Sequence, residues 1–113
     1  MPQVIVDRRE KLPYRFPGAV YGTLKTADYS LHGYEDRIAV ERKGGMSDLW
    51  CVVGRGRERF ERELARLAEI RYRAIVLEFD LAEIRRGLPQ TPAAGRRVQP
   101  MHVIGSIIGW CLR

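Results

Sequence analysis

The sequence has little of what several classes of protein require. Its 113 residues include two cysteines, Cys51 and Cys111, with no CxxC spacing and no histidine nearby in a ligand pattern. This excludes a disulfide framework or a zinc site of the common spacings, and we expect both thiols to be buried and unpaired. No stretch approaches the roughly 20 apolar residues that a membrane helix needs. We therefore expect no role for a membrane.

Residues 1–7 also lack the positive region followed by an apolar region that marks a secretory signal. We expect a cytoplasmic protein, associated with the nucleoid in a bacterium or phage and located in the nucleus in a eukaryote.

The composition is that of one folded domain with an excess of basic residues. Apolar residues make up 45% and charged residues 30% of the chain, and the length suits a single domain with a real core. The formal charge is +6, and arginine strongly outnumbers lysine. Because arginine makes forked, planar contacts to phosphate, this balance favours a polyanion such as nucleic acid over a small-molecule substrate. Charge that serves solubility alone is the alternative.

Two apolar runs predict strands. Residues 3–6 form a β-branched run that ends at Asp7, and residues 74–79 form a second run that we expect to be a central strand. Helical patterns cover residues 57–72, 81–86 and 100–113. Residues 47–53 predict a short helix, and their valines make a strand the alternative. Residues 87–97 predict a loop. The alternation of strands and helices predicts an α/β fold.

A hairpin is predicted between residues 28–33 and the stretch that starts at residue 36, with its turn at Tyr34 and Glu35. If paired residue numbers add up to 69, Asp28 lies opposite Glu41, and Lys43 falls on the same face two residues later. A register slip of one residue would remove this match.

Asp28, Glu41 and Lys43 are the residue types that phosphoryl chemistry with a metal ion needs. Two facing carboxylates repel each other unless a proton or cation lies between them, and Mg²⁺ or Mn²⁺ commonly uses one or two carboxylates together with water and phosphate oxygens. An ammonium beside the metal stabilises the attacking hydroxide or the developing charge. On spacing alone, an exposed hairpin with ordinary surface charges explains these residues as well.

The motifs around these residues resemble, in order, those of the XPF/MUS81 (ERCC4-type) nuclease domain, a branch of the PD-(D/E)XK nuclease superfamily. The matching segments are VDRRE at 6–10, ADY at 27–29, VERK at 40–43 and DL at 48–49, with RERFERELARL at 57–67 and VIGSIIGW at 103–110 similar to the helices of the family. The resemblance spans nearly the whole chain. It implies a restriction-endonuclease-like mixed central sheet flanked by helices, in one nuclease domain over residues 1–113.

The resemblance also implies roles for individual residues. Asp28 and Glu41 would bind the catalytic Mg²⁺ or Mn²⁺, and Lys43 would assist the nucleophile. The supporting residues of the site would be Asp7, Arg9, Arg42 and Asp48. Strand alternation points Arg42 away from Lys43, so we expect it to support the site, and an ion pair on the opposite face of its strand is the alternative.

The chain departs from the family pattern at three places. Ala27 stands where the family has glycine before Asp28, which we expect to matter little if the backbone there is ordinary strand. Four residues, GGMS, separate Lys43 from Asp48 where the family usually has three. The sequence also ends before the further strand and helix with which the family usually continues.

The expected function is a metal-dependent DNA endonuclease that acts on branched, flapped or otherwise structured DNA in repair or recombination. A non-catalytic DNA-binding or scaffolding subunit of a nuclease complex is the alternative. Tyr14, Arg15 and Phe16 form a basic and aromatic segment that could contact DNA. By the habit of the family, the apolar last helix would pair the chain with a second copy or with a related subunit.

Overall fold

A five-stranded mixed sheet and four helices make up the part of the chain that the computed structural model describes, residues 2–87 and 98–112. The elements in chain order are β1 (Val4–Asp7), β2 (Val20–Gly22), β3 (Tyr29–Leu31), β4 (Ile38–Lys43), α1 (Met46–Val53), α2 (Arg57–Leu67), β5 (Tyr72–Leu77), α3 (Leu81–Arg86) and α4 (Pro100–Cys111). The predicted α/β class with a mixed sheet is confirmed.

The strands lie in the order β2, β1, β3, β4, β5. β1 is parallel to β2 and antiparallel to β3, and β3 is antiparallel to β4. Tyr72 donates its N–H to the carbonyl of Arg37, and Glu78 donates to the carbonyl of Lys43 further along both strands, as in a parallel pair. The connection from β4 to β5 runs through α1 and α2, which is the length of crossover that parallel strands require.

The chain divides into two compact units. The first unit consists of the described residues of 1–42 together with 65–76, and it holds nearly all of the sheet. Its buried apolar side chains are Val6, Leu24, Tyr29, Ala39 and Leu67. In the apolar run before Asp7, Val6 is buried and Val4 and Ile5 are partly buried.

The second unit consists of residues 43–64 and the described part of 77–113. Its core contains Leu49, Trp50 and Val53 of α1, which pack with Ile84 of α3 and Val103 of α4. α3 begins at a capping box in which the Asp80 side chain accepts from the N–H of Glu83 and the Glu83 side chain accepts from the N–H of Asp80. α3 has the predicted bounds, whereas residues 88–97, most of the predicted loop, lie outside the described residues.

Several predicted elements differ from the structure. β2 was not predicted, because residues 14–22 contain turn formers and the strand is short and exposed. α2 ends at Leu67 rather than at Tyr72. The apolar run at 74–79 forms β5, which starts two residues earlier and lies at an edge of the described sheet with residues 72–76 exposed, so the prediction of a central strand was wrong.

The two thiols are less buried than the sequence predicts. Cys51 is partly buried and Cys111 is exposed, so the prediction that both thiols are buried was wrong. Of the helices in the described residues, none is long and apolar enough to cross a bilayer.

Ala27 adopts a left-handed backbone conformation, with φ of 68°. This contradicts the expectation of ordinary strand at the position where the resembled family has glycine. A left-handed conformation costs an L-residue about 1–2 kcal/mol, because Cβ approaches the following carbonyl oxygen. The alanine at this position is therefore strained.

We expect Ala27→Gly to raise the free energy of unfolding by about 0.5–1 kcal/mol, since relief of the strain exceeds the added entropy of glycine in the unfolded chain. Ala82→Gly, at an exposed position in α3, is the matched control and should lower stability by about 1 kcal/mol. Urea unfolding of the three proteins measures both changes. Equal destabilisation by the two substitutions would contradict the left-handed conformation of Ala27.

Candidate active site

Asp7 ends β1 with a buried carboxylate whose two oxygens accept four hydrogen bonds. Oδ1 accepts from the backbone N–H of Arg9 at 2.9 Å and from Arg9 Nε at 2.8 Å. Oδ2 accepts from Arg9 Nη2 at 2.9 Å and from the backbone N–H of Leu24 at 2.9 Å. Arg9 Nη2 also donates to the Leu24 carbonyl at 3.0 Å. The forked ion pair thus joins the end of β1 to the segment before β3.

The environment of Asp7 stabilises its ionised form. The side-chain hydrogen bonds from Arg9 hold the pKa of this carboxyl well below its usual range, against the opposing effect of burial. Only 2% of the Asp7 side chain is exposed, whereas 73% of the Arg9 side chain is. A carboxylate with four donors is occupied by protein groups, which fits the supporting role that the sequence predicts for Asp7 and Arg9.

Asp28 lies one residue before β3, where hydrogen bonds connect it to both neighbouring strands. Its carbonyl accepts from the N–H of Asp7 at 2.8 Å, and its own N–H donates to the Val40 carbonyl at 3.0 Å. Its carboxylate Oδ2 accepts from the backbone N–H of Arg42 at 2.8 Å. A carboxylate has about four acceptor positions, and this bond uses one of them while orienting the group.

Tyr29 pairs with Val40, and their numbers add up to 69 as predicted, but the predicted pair of Asp28 with Glu41 is not formed, because Asp28 lies outside β3. The strands are displaced from their predicted bounds, and residues 32–37 connect them in place of a turn at 34 and 35. Asp28 donates to Val40, the residue that pairs with Tyr29, so the regular pairing is interrupted at Asp28. Glu41, the next residue of β4 after Val40, is 9% exposed.

Lys43 is the last residue of β4 and belongs to the second unit. Its Nζ lies 5.0 Å from the centroid of the Phe60 ring, and Phe60 is buried in α2. An ammonium above an aromatic face is attracted by the ring quadrupole, so Phe60 helps to hold the lysine side chain. Phe60 falls within the helical pattern predicted over 57–72, and its contact with Lys43 was not predicted.

Arg42 makes a different set of contacts from its neighbour in the strand. Its Nη1 donates to Glu10 Oε2 at 3.1 Å and to the carbonyl of Leu12. Its guanidinium carbon lies 4.5 Å from the centroid of the Tyr14 ring. The ion pair that was the alternative for Arg42 is therefore present, and the backbone of the same residue orients Asp28.

Tyr14 and Phe16 form an aromatic cluster with Tyr29 of β3. The ring centroids of Tyr14 and Tyr29 are 5.6 Å apart at an interplanar angle of 30°, and Phe16 meets Tyr29 edge to face at 6.1 Å. The Tyr29 hydroxyl accepts from the Tyr14 N–H at 3.0 Å and donates to Glu10 at 3.1 Å. Burial raises the pKa of Tyr29. Arg15, between the two aromatic residues, is exposed.

Asp48 is the third residue of α1, in the second unit, and its side chain is exposed. An acidic residue in the first turn interacts favourably with the helix dipole. Within residues 2–87 and 98–112, no three or more His, Cys, Asp or Glu residues form a group that could hold a metal ion. The predicted metal ligands are two carboxylates, Asp28 and Glu41.

Comparison of the chain with protein-family models, curated proteins and solved structures finds no match.

We expect Asp7→Asn to lower the free energy of unfolding by about 2–3 kcal/mol at pH 7, because buried charge-assisted hydrogen bonds are lost. The folded-state pKa of Asp7 is depressed, so its contribution is complete above the unfolded value of about 3.9 and is lost as the pH falls towards the folded value. The difference between wild type and variant should therefore shrink below about pH 4.

Urea unfolding from pH 7 to pH 2.5 measures this difference directly. Asp36→Asn, at an exposed residue of the same unit, is the matched control and should leave stability nearly unchanged. A difference for Asp7→Asn that stayed constant down to pH 2.5 would show that ionisation of Asp7 does not stabilise the fold.

Proposed function

We propose that this protein is a metal-dependent DNA endonuclease that hydrolyses phosphodiester bonds in branched, flapped or otherwise structured DNA. The observation that carries the proposal is the convergence of three separate motifs in the first unit. Asp7 of the first motif donates its N–H to the Asp28 carbonyl, and Arg42 of the third donates its N–H to the Asp28 carboxylate, both at 2.8 Å. Hydrogen bonds thus tie Asp28 of the second motif to the other two, through its carbonyl and its carboxylate.

Asp28 and Glu41 are the residues that would hold the metal ion. Their donor set consists of carboxylate oxygens, which suit the hard cations Mg²⁺ and Mn²⁺. When bound, the ion lowers the pKa of a water molecule and polarises a phosphoryl oxygen. Glu41 is nearly buried in β4, next to Arg42.

The chain itself supplies orientation and charge in this proposal. The N–H of Arg42 donates to the Asp28 carboxylate and orients it. The ion pair with Arg9 holds Asp7, whose N–H donates to the Asp28 carbonyl. By the resemblance of the motifs, Lys43, whose ammonium lies against Phe60, would stabilise the attacking oxygen by hydrogen bonding. Hydrolysis forms a bond from this oxygen to phosphorus and breaks the bond to the leaving sugar oxygen, which takes up a proton.

A restriction-endonuclease-like fold is part of the same proposal. A mixed sheet in which β3 and β4 are antiparallel and β4 is followed by helices and a parallel strand supports a restriction-endonuclease-like arrangement. Asp48, at the start of α1, would support the site through the helix that follows β4.

Substitution of the proposed ligands tests the activity. We expect Asp28→Asn to reduce Mg²⁺- or Mn²⁺-dependent cleavage at least about 100-fold, while DNA binding persists, because asparagine still accepts the Arg42 hydrogen bond but carries no charge. Lys43→Ala should reduce cleavage similarly. The assay compares duplex, flapped, branched and single-stranded DNA, with RNA as a further substrate.

Asp36→Asn and Lys25→Ala make the same chemical changes at exposed positions and should cleave like wild type. Absence of metal-dependent nicking of every DNA by the wild-type protein would overturn the nuclease proposal. DNA binding without any cleavage would favour the non-catalytic subunit instead.

We also propose that α4 pairs the chain with a second copy or a related subunit. Met101 and Ile108, which are seven residues apart and so lie on one face of this helix, are 75% and 56% exposed. We expect Ile108→Lys to shift sedimentation towards the monomer. Leu81→Lys, at a 57% exposed leucine of α3, is the matched control. Wild-type protein that sediments as a monomer at high concentration, alone and mixed with Ile108→Lys, would contradict a homodimer.

A further inference from the structure

Residues 11–16, which we name the aromatic loop, expose apolar and aromatic side chains in a fixed conformation. Leu12, Tyr14 and Phe16 are 79%, 37% and 40% exposed. Three contacts fix the loop: Arg42 donates to the Leu12 carbonyl, the Arg42 guanidinium lies over the Tyr14 ring, and the Tyr14 N–H donates to the Tyr29 hydroxyl. A loop held this firmly presents its rings at little further entropic cost to a ligand.

The charge around the aromatic loop indicates the chemistry of that ligand. Residues 8–16 contain four basic residues and one acidic residue, a net charge of +3. The acidic residue, Glu10, is already paired with Arg42. Arg8, Lys11 and Arg15, which lie close to Tyr14 and Phe16 in the chain, are exposed. Basic side chains interleaved with exposed aromatic rings are typical of surfaces that bind single-stranded nucleic acid, with the backbone on the cations and the bases on the rings.

The aromatic loop is also connected to the proposed catalytic residues. Tyr29, on which Tyr14 and Phe16 pack, follows Asp28 directly in the chain, and consecutive Cα atoms are about 3.8 Å apart. In the proposed complex, the nucleotides that neighbour a phosphate bound at Asp28 would extend along this connection towards the loop. Arg42 contacts both places, with its N–H on the Asp28 carboxylate and its guanidinium on the Tyr14 ring.

We propose that the aromatic loop binds an unpaired nucleotide base next to the scissile phosphate, with Phe16 as the ring on which the base stacks. Tyr14 has Tyr29 and Arg42 as partners for its ring, whereas Phe16 makes edge-to-face contacts and is the more exposed of the two. The inference rests on the proposed nuclease function, because it names the part of the DNA that the site requires. A fully paired duplex offers no such base.

The test measures binding of the full-length protein, in EDTA so that no cleavage occurs, to a fluorescent duplex with a single-stranded overhang and to the same duplex with blunt ends. We expect Phe16→Ala to weaken binding of the overhang about 5- to 150-fold in Kd, the range of one base stacked on one aromatic ring, with binding of the blunt duplex unchanged. Overhangs of deoxyribonucleotides and ribonucleotides distinguish a DNA from an RNA substrate.

Two further substitutions separate stacking from ordinary packing. Phe16→Trp should retain overhang binding because it keeps an aromatic face, whereas Phe16→Leu should lose it despite keeping an apolar side chain. Tyr34→Ala removes a comparably exposed ring, 47% exposed, from another loop of the same unit and should bind like wild type. Thermal unfolding followed by circular dichroism checks that every variant is folded.

Three results would overturn the inference. The first is equal weakening of overhang and blunt duplex, the second is unchanged overhang binding by Phe16→Ala, and the third is retention by Phe16→Leu with loss by Phe16→Trp. Because binding is measured without metal, it is separate from the cleavage assay. Preferential overhang binding with no cleavage would support base binding by the aromatic loop and refute the nuclease. Cleavage without overhang preference would support the nuclease and refute base binding by the loop.

Discussion

Burial of the Asp7 carboxylate is the constraint on which the candidate site depends. An ionised group away from water is stable only when its acceptor positions are filled, and Asp7 achieves this with the fork of Arg9 and the N–H groups of Arg9 and Leu24. These bonds hold the end of β1 against the segment before β3. The N–H of Asp7 then donates to the Asp28 carbonyl, so the position of Asp28 follows from that of Asp7.

Arg42 links two features that are separate in the sequence. Its main chain bonds the Asp28 carboxylate, while its side chain pairs with Glu10, holds the Leu12 carbonyl and lies over Tyr14. A strand residue can do both because its backbone N–H lies in the plane of the sheet and its side chain stands perpendicular to it. In the proposed function, one residue therefore positions both the metal ligand and the loop that receives the unpaired base.

The sequence predicted the local features of the site better than their surroundings. The register of Tyr29 with Val40 and the bounds of α3 were correct, because alternation and a capping box are encoded within a few residues. β2 was missed and β5 was placed in the centre of the sheet, because the position of a strand depends on which strands flank it. Exposure of Cys111 was missed for a related reason, since an apolar helix does not reveal which of its residues a neighbour covers.

The sequence by itself determined the basic charge, the order of the motifs and the residue types that suit metal-dependent phosphodiester hydrolysis. The tertiary structure alone decided how those residues are held. Ala27 is left-handed because the chain must turn between Leu24, bonded to Asp7, and Asp28, bonded to Val40. Phe60 meets Lys43 within the second unit, although they are 17 positions apart in the chain. Such contacts join residues far apart in the chain, and their geometry follows from packing that no local pattern specifies.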